Sequence, residues 1–195
     1  MGLIMLSNDV FAKALLQRAE SKHISVDNLK LQKLTYYCQG YHLAIYKEPA
    51  FDGEICAWEH GPVVSELYNT YRGFGSTCII SQADTDYFSE ISESVQHIVD
   101  WVLETYGRVG SWTLRNKTHQ ERPWLSHYDS ETCKADNRVI THTELQSFFK
   151  ENLVAAQDSY LAALLDSVES EAIDVPEHIQ NEDQFYAWIM DDSQS

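Results

Sequence analysis

Hydrophobic residues recur along much of this chain at spacings of three and four, which is typical of amphipathic α-helices. The longest run consists of Leu31, Leu34, Cys38, Tyr41 and Ile45. It predicts a long helix that begins after residues 25–27 and ends before Pro49. A shorter helix is predicted before it, beginning near residues 7–9 and ending near residues 22–23. The pattern therefore indicates a mainly α protein.

Four further helical segments are predicted downstream. Apolar residues between Ile91 and Tyr106 describe one helix, closed by Gly107, and Ser111 caps a shorter one. Thr141 and Glu144 have the spacing of a capping box and open a helix whose pattern continues to position 168, with a bend near position 152 as an open alternative. A last short helix is predicted after position 181. Residues 119–138 are polar and contain a proline, so we expect a loop there.

A small antiparallel β element is predicted between these helices. EICAWE at 54–59 alternates like a short strand, and TCIIS at 77–81 is its predicted partner. The intervening EHGPVVSELYNTYRGFG predicts a helix that begins at Gly61-Pro62, because proline is tolerated in a first helical turn, and ends at Gly73. A phosphate-binding loop is disfavoured, because no lysine follows these glycines and GxGxxG is not matched.

Composition and charge divide the chain unevenly. At 195 residues and 44% hydrophobic residues it is long enough for one substantial core. Residues 1–150 carry 19 acidic and 14 basic residues, whereas residues 151–195 carry 11 acidic residues and no basic one. We therefore expect a compact helical domain over 1–150 with a small antiparallel β element, followed by an acidic helical C-terminal extension over 151–195. The extension would repel nucleic acid and attract basic protein surfaces.

The sequence gives little indication of a membrane, of metal or of cofactor chemistry. No apolar run approaches the roughly 18 residues of a membrane span, and a basic leader is not apparent, so a cytoplasmic location is expected. The four cysteines form no CxxC pair and the eight histidines form no HExxH motif, so we expect free thiols, no metal and no cofactor. Cys56 and His60 are a weak alternative as a nucleophile pair, and the expectation is that the protein is not an enzyme.

Tyrosines and tryptophans are unusually frequent between positions 36 and 74, and such residues are enriched at protein interfaces. Tyr41 and Tyr71 have core spacing, whereas Tyr36, Tyr37 and Tyr68 lie nearer the flanks of their helices and are candidates for exposure. Gly40, in the middle of a strong helix, costs about 1 kcal/mol relative to alanine, and a close crossing by another element would explain it.

Several motifs occur together in a fixed order. They are Leu31-Gln32-Lys33-Leu34, Tyr37, Gln39-Gly40, Phe51-Asp52, Ala57-Trp58, Gly61-Pro62-Val63, Leu67-Tyr68, Gly73 with Gly75, Thr118-His119 and Pro123-Trp124. In this order the chain, over about residues 5–150, resembles the Panacea antitoxin domain, a family also called SocA-like or GepA-like.

The resemblance implies a mainly helical, non-catalytic protein of prophages and bacterial chromosomes that neutralises the toxin of a neighbouring gene by binding it directly. For at least one relative it implies delivery of the toxin to a cytoplasmic protease. Glu59 stands where relatives often carry a basic residue, and Ser65 where proline is frequent. The helix-turn-helix of many relatives is not apparent here, so direct DNA binding is not expected, and homo-oligomerisation stays open.

Two groups of residues are singled out by these patterns. The candidates for partner contact are Tyr36, Tyr37, Trp58, Glu59, His60, Tyr68, Arg72, Phe185 and Trp188. The structural motif residues are Gly40, Gly61, Pro62, Gly73, Thr118, His119, Pro123 and Trp124. One alternative function is a phage-encoded counter-defence or host-takeover protein whose acidic tail mimics nucleic acid.

Overall fold

A computed structural model describes residues 5–80, 85–128, 139–156 and 159–171. Within them the chain is mostly helical with one small sheet, which confirms the predicted fold class. The α-helices are α1 (Asn8–Ser21), α2 (Asn28–Tyr46), α3 (Ser65–Tyr71), α4 (Tyr87–Glu90), α5 (Glu93–Tyr106), α6 (Ser111–Thr118), α7 (Arg122–Leu125), α8 (His142–Ala156) and α9 (Ser159–Glu171). The strands are β1 (Ile55–Trp58), β2 (Gly61–Val64) and β3 (Val139–Ile140).

The chain divides into two compact units, Met1–Asp158 and Ser159–Ser195. The first contains helices α1–α8 and the sheet, and the described part of the second is helix α9. The assignment of residues 151–195 as an acidic extension stays a prediction. The last predicted helix, with Phe185 and Trp188, lies outside the described residues. None of the helices within the described ranges combines the length and apolar composition that a bilayer crossing needs.

Local capping signals explain where the main helices begin. Ser7 Oγ accepts a hydrogen bond from the Val10 N–H at 3.3 Å, and Asp27 Oδ1 accepts one from the Lys30 N–H at 2.7 Å. The capping box before α8 is formed in both directions: the Glu144 N–H donates to Thr141 Oγ1 at 3.3 Å, and the Thr141 N–H donates to Glu144 Oε2 at 2.8 Å. The predicted starts of α1, α2 and α8 are confirmed.

Helix α2 lies at the centre of the first unit and packs against α5, α6, α8 and β2. Its residues from Lys30 to Ile45 are buried on every side. The expected exposure of Tyr36 and Tyr37 is therefore wrong, because their side chains are 0% and 1% exposed. A helix that neighbours surround completely has no outward flank, so amphipathic spacing does not predict which of its residues reach solvent.

The crossing predicted at Gly40 is present. A Cβ atom at this position would lie 2.1 Å from Phe149 Cε2, so the ring of Phe149 on α8 occupies the space that any larger residue would need. The same ring packs edge-on against Tyr36 and Tyr41, with centroid distances of 5.3 and 4.7 Å. Glycine thus allows the closest part of the α2–α8 contact.

The sheet is antiparallel with strand order β2-β1-β3, and Ile55 pairs with Val64 on one side and Ile140 on the other. Strand β1 was predicted, but its predicted partner at 77–81 is wrong. The Ile79 N–H instead donates to Val26 O at 2.8 Å, in the loop before α2.

Gly61-Pro62 does not begin a helix, as the sequence pattern predicted. It lies in β2, an edge strand, where proline is tolerated, and α3 begins only at Ser65. Polar side chains of α2 fix β2 in this position: Gln32 Oε1 accepts from the Val64 N–H at 3.0 Å, and Lys33 Nζ donates to Pro62 O at 2.8 Å.

Three smaller boundary predictions are also corrected. Gly73 lies inside a 3-10 turn that follows α3, rather than at the helix end. Pro123 lies in the first turn of α7, within the segment predicted to be a loop, because that position needs no N–H donor. Gly110, and not Ser111, is the cap of α6, and α8 continues through Asn152, the position of the alternative bend, to Ala156.

Candidate partner-binding site

A cleft of about 450 Å³ brings together five of the predicted contact residues. They are Trp58, Glu59, His60, Tyr68 and Arg72, and they come from the β1–β2 hairpin, α3 and the 3-10 turn after it. We call this site the hairpin cleft. Its other walls are formed by the start of α2 and by Trp112 of α6.

Aromatic rings line the hairpin cleft in two edge-to-face pairs. Trp58 and Tyr68 have a centroid distance of 5.1 Å and an interplanar angle of 66°, and His60 and Trp112 have values of 5.7 Å and 71°. Tyr68 is 38% exposed and Trp112 is 62% exposed. The cleft therefore offers large aromatic surfaces to a partner, which is the composition of protein-binding hot spots.

Trp112 was not among the predicted contact residues. The residues of α6 that are buried are Leu114 and Thr118, four positions apart on one face of the helix. Trp112 does not lie on that face, so the helical spacing is consistent with its exposure. Its meeting with His60 depends on the hairpin lying across the start of α6, and no local pattern encodes that contact.

The hairpin that carries the cleft is held by Trp124. The Trp124 Nε1–H donates to Trp58 O at 2.8 Å. The Trp124 ring is stacked between His119, at 3.8 Å, and Tyr128, at 4.5 Å, with interplanar angles of 20° and 18°. A three-ring stack with one directed hydrogen bond therefore fixes the end of β1.

Lys33 supports the other strand of the hairpin from the interior. Its side chain is 0% exposed, and burial, with a further contribution from the nearby Arg115, holds the pKa of its amine well below the usual range. Gly61 has a φ of +95°, and a Cβ there would lie 2.8 Å from Lys33 Nζ and 2.7 Å from Thr118 Oγ1. Glycine is required here both by the backbone conformation and by this close approach.

His119 is one ring of the Trp124 stack and also lies near the basic side chains of Arg115 and Lys33. Burial, followed by the positive charges of Arg115 and Lys33 and by His60, lowers the pKa of its imidazole to about 4. The ring is consequently neutral at pH 7 and stacks as an aromatic group.

Tyr36 and Tyr37 do not reach the cleft. The Tyr37 hydroxyl donates to Glu121 Oε1 at 3.0 Å, and Lys117 Nζ lies 3.2 Å from the same oxygen. Burial raises the pKa of Glu121 despite these partners. The Tyr37 ring also stacks on Tyr106 at 4.2 Å, so its contacts are internal to the domain.

Cys56 and His60 do not line the same space. Cys56 lies in a separate cavity of about 310 Å³ with Asp52 and Glu66, whereas His60 lines the hairpin cleft. Burial raises the pKa of the Cys56 thiol, which disfavours the nucleophilic thiolate. Among the described residues, no group of three or more His, Cys, Asp or Glu side chains is arranged to hold a metal ion.

Comparison with known proteins finds relatives for the part of the chain that contains most of the cleft residues. Residues 31–125 match the model of the family described as antitoxin SocA-like, Panacea domain. The chain is also similar to antitoxin SocA of Caulobacter vibrioides, with 30% identity over 123 residues. The alignment covers 58% of this chain and 65% of the relative, slightly less than two thirds of its length. No solved structure shows significant similarity to the chain. The resemblance predicted from the ordered motifs is confirmed, because residues 31–125 match the model of the SocA-like, Panacea antitoxin domain and the chain is similar to an antitoxin SocA.

Proposed function

We propose that this protein is an antitoxin that neutralises a protein toxin by binding it directly at the hairpin cleft. The observation that carries the proposal is that contact candidates from the β1–β2 hairpin, α3 and the 3-10 turn line one aromatic cleft, in a region that matches an antitoxin-family domain. The proposed action makes and breaks no covalent bond in the toxin.

The support beneath the cleft favours tight binding. Trp58 is fixed through its carbonyl by Trp124, and the neighbouring Glu59 carbonyl accepts from Arg115 at 3.5 Å. On the opposite wall, Asn28 Nδ2 donates to Tyr68 O at 3.3 Å. A surface whose backbone is already fixed loses little conformational entropy when a partner docks, so more of the interaction energy appears as affinity.

Co-expression with the product of the neighbouring toxin gene tests this function. The wild-type protein is expected to restore growth and to copurify with the toxin. Tyr68→Ala and Trp112→Ala are each expected to weaken binding by about tenfold or more, because central aromatic side chains dominate interface energetics.

Leu125→Ala is the matched control, because Leu125 is 53% exposed and does not line the cleft. Its affinity should equal that of the wild type. A wild-type protein that is folded but neither binds the toxin nor restores growth would refute the antitoxin function. Normal binding by both cleft variants would refute the assignment of the site. Measuring the lifetime of the toxin in the same cells separates masking from delivery to a protease.

A further inference from the structure

The hairpin cleft contains carboxyl groups as well as aromatic rings. Asp27 and Glu59 line it together with Trp58, Tyr68 and Trp112. The faces of tryptophan and tyrosine rings carry partial negative charge and attract ammonium and guanidinium groups, and nearby carboxylates add to this attraction. This combination of aromatic rings and carboxylates favours the binding of a cation.

The carboxyl group of Asp27 is fixed in place. Its Oδ1 accepts from the Lys30 N–H at 2.7 Å, and its Oδ2 accepts from Ser111 Oγ at 2.5 Å. Glu59 is exposed at the tip of the hairpin, where its backbone is held but its side chain can turn toward a ligand. The cleft thus has one rigid and one adjustable acidic group.

Two ionisable side chains that line the cleft, Arg72 and His60, oppose or modify this attraction, and Arg115 adds a positive charge next to the Glu59 carbonyl, 3.5 Å away. Arg72 lines the cleft from the 3-10 turn and is exposed, and His60 lies beside Trp112. An exposed arginine can move its guanidinium into solvent while its stem stays in place, so it weakens the attraction for a cation without blocking the cleft.

We infer that the hairpin cleft receives a basic side chain, an arginine, which the toxin inserts between the aromatic rings. The inference rests on the proposed function and names the chemistry of the partner's anchor. Arginine fits better than lysine, because its planar guanidinium stacks on aromatic faces and pairs with carboxylates at the same time.

Free probes test this chemistry without the toxin. Nα-acetyl-arginine amide is titrated into the full-length protein, and the indole N–H resonances of Trp58 and Trp112 are followed by NMR. We expect saturable shifts with a dissociation constant on the order of tens of millimolar, as befits a small ligand that makes few contacts. The amides of acetyl-norleucine and acetyl-glutamate are the apolar and anionic controls. An equal or stronger response to either control would overturn the inference.

Charge variants at the cleft should change probe affinity in opposite directions. Glu59→Gln is expected to weaken arginine binding by about two- to fivefold, and Arg72→Gln to strengthen it by a similar factor, as is typical of exposed charge pairs. Glu90→Gln is the control, since Glu90 does not line the cleft. Unchanged affinity in both cleft variants, or the reverse order, would overturn the inference.

The same variants with the toxin separate the two proposals. If the toxin binds with the same dissociation constant to the wild type, Glu59→Gln and Arg72→Gln, the antitoxin function stands and the arginine anchor is refuted. If the arginine probe binds as expected and the toxin does not, the cation site stands and the proposed function fails.

Discussion

Gly40 lies directly against the ring of Phe149, so a larger residue at this position should reduce the stability of the protein. Gly40→Ala should destabilise the protein by about 1–3 kcal/mol, because the new methyl group would have to displace a buried ring in a packed core. Urea denaturation followed by circular dichroism measures the change in the free energy of unfolding.

Gly73→Ala is the control for this experiment, because a Cβ there has no neighbour within 4 Å. Its φ is not positive, so alanine should leave stability unchanged or raise it slightly. If Gly40→Ala were as stable as Gly73→Ala, the close α2–α8 contact would be wrong.

His119 should make the stability of the protein depend on pH. Its folded-state pKa of about 4 lies below its usual value of 6.5. Between these values the unfolded chain takes up a proton that the folded chain does not. The contribution of His119 is therefore complete above about pH 6.5, falls as the pH falls, and is lost near pH 4.

His119→Phe keeps a ring against Trp124 but cannot be protonated. We expect the variant to lose less stability than the wild type between pH 6.5 and pH 4, as measured by urea denaturation at a series of pH values. The exposed His97, replaced in the same way, is the matched control. If the free energies of unfolding of His119→Phe and the wild type changed with pH in parallel, the lowered pKa of His119 would be contradicted.

Helices α1 and α5 are joined by a charged cluster centred on Asp100. Arg18 makes two hydrogen bonds to this carboxylate, at 2.7 and 2.8 Å, and Lys22 lies 3.1 Å from it. Burial alone would raise the pKa of Asp100, but the hydrogen bonds from Arg18 and Lys22 outweigh it and lower the pKa. The cluster therefore stabilises the ionised form.

Asp100→Asn should reduce the free energy of unfolding by about 1 kcal/mol, since it removes a bidentate partly buried pair and a second ion pair. The loss should shrink at high salt, because salt screens the attraction that the wild type has. Asp9→Asn, which removes one exposed pair with Lys13, is the comparison and should cost less. Equal losses in the two variants would argue against a cooperative cluster.

The helices were predictable because their signals are local. Ser7, Asp27 and the Thr141–Glu144 capping box each lie within four residues of the groups they bind, so the sequence near each helix start contains the whole interaction. Gly61-Pro62 is different, because glycine and proline suit both a helix start and an edge strand. The contacts from Gln32 and Lys33 decide between them, and these residues lie about thirty positions away.

The cleft was predictable only in part for a related reason. Trp58, Tyr68 and Arg72 are close in sequence, and residues near one another in a short hairpin and helix tend to share a surface. Trp112 and Asp27 reach the cleft through tertiary packing of α6 and α2, which periodicity does not describe. Tyr36 and Tyr37 were assigned to the surface because the spacing of α2 does not reveal that other elements cover it on all sides.

The net charge of −16 should influence how fast the protein finds a basic partner. Oppositely charged proteins associate faster at low salt, because long-range attraction raises the frequency of productive encounters. Much of this charge lies after position 150, where acidic residues occur without any basic residue. A partner bound at the hairpin cleft should therefore keep most of its affinity, but lose association rate, when that charge is removed.

A charge-neutralised variant of the full-length chain distinguishes the antitoxin from the nucleic-acid mimic. The substitutions are Asp174→Asn, Glu177→Gln, Glu182→Gln, Asp183→Asn, Asp191→Asn and Asp192→Asn. We expect toxin association to slow by up to about tenfold at low salt, with growth rescue retained, in stopped-flow and co-expression experiments. A mimic would instead lose its activity entirely, and that outcome would contradict the proposed function.

The role of the polar side chains of α2 suggests a practical use of this protein as a binding scaffold. Gln32 and Lys33 bind backbone groups of β2 and Gln39 binds those of residues 50–51, so these side chains hold the backbone next to α2, although Gln32 also lines the cleft. The cleft residues Glu59 and Trp112 are not needed for those bonds. Randomising only the cleft positions whose side chains make no such structural hydrogen bond, such as Glu59, Tyr68 and Trp112, should therefore yield a library of correctly folded binders with new targets. Neutralisers of chosen proteins can be selected from it.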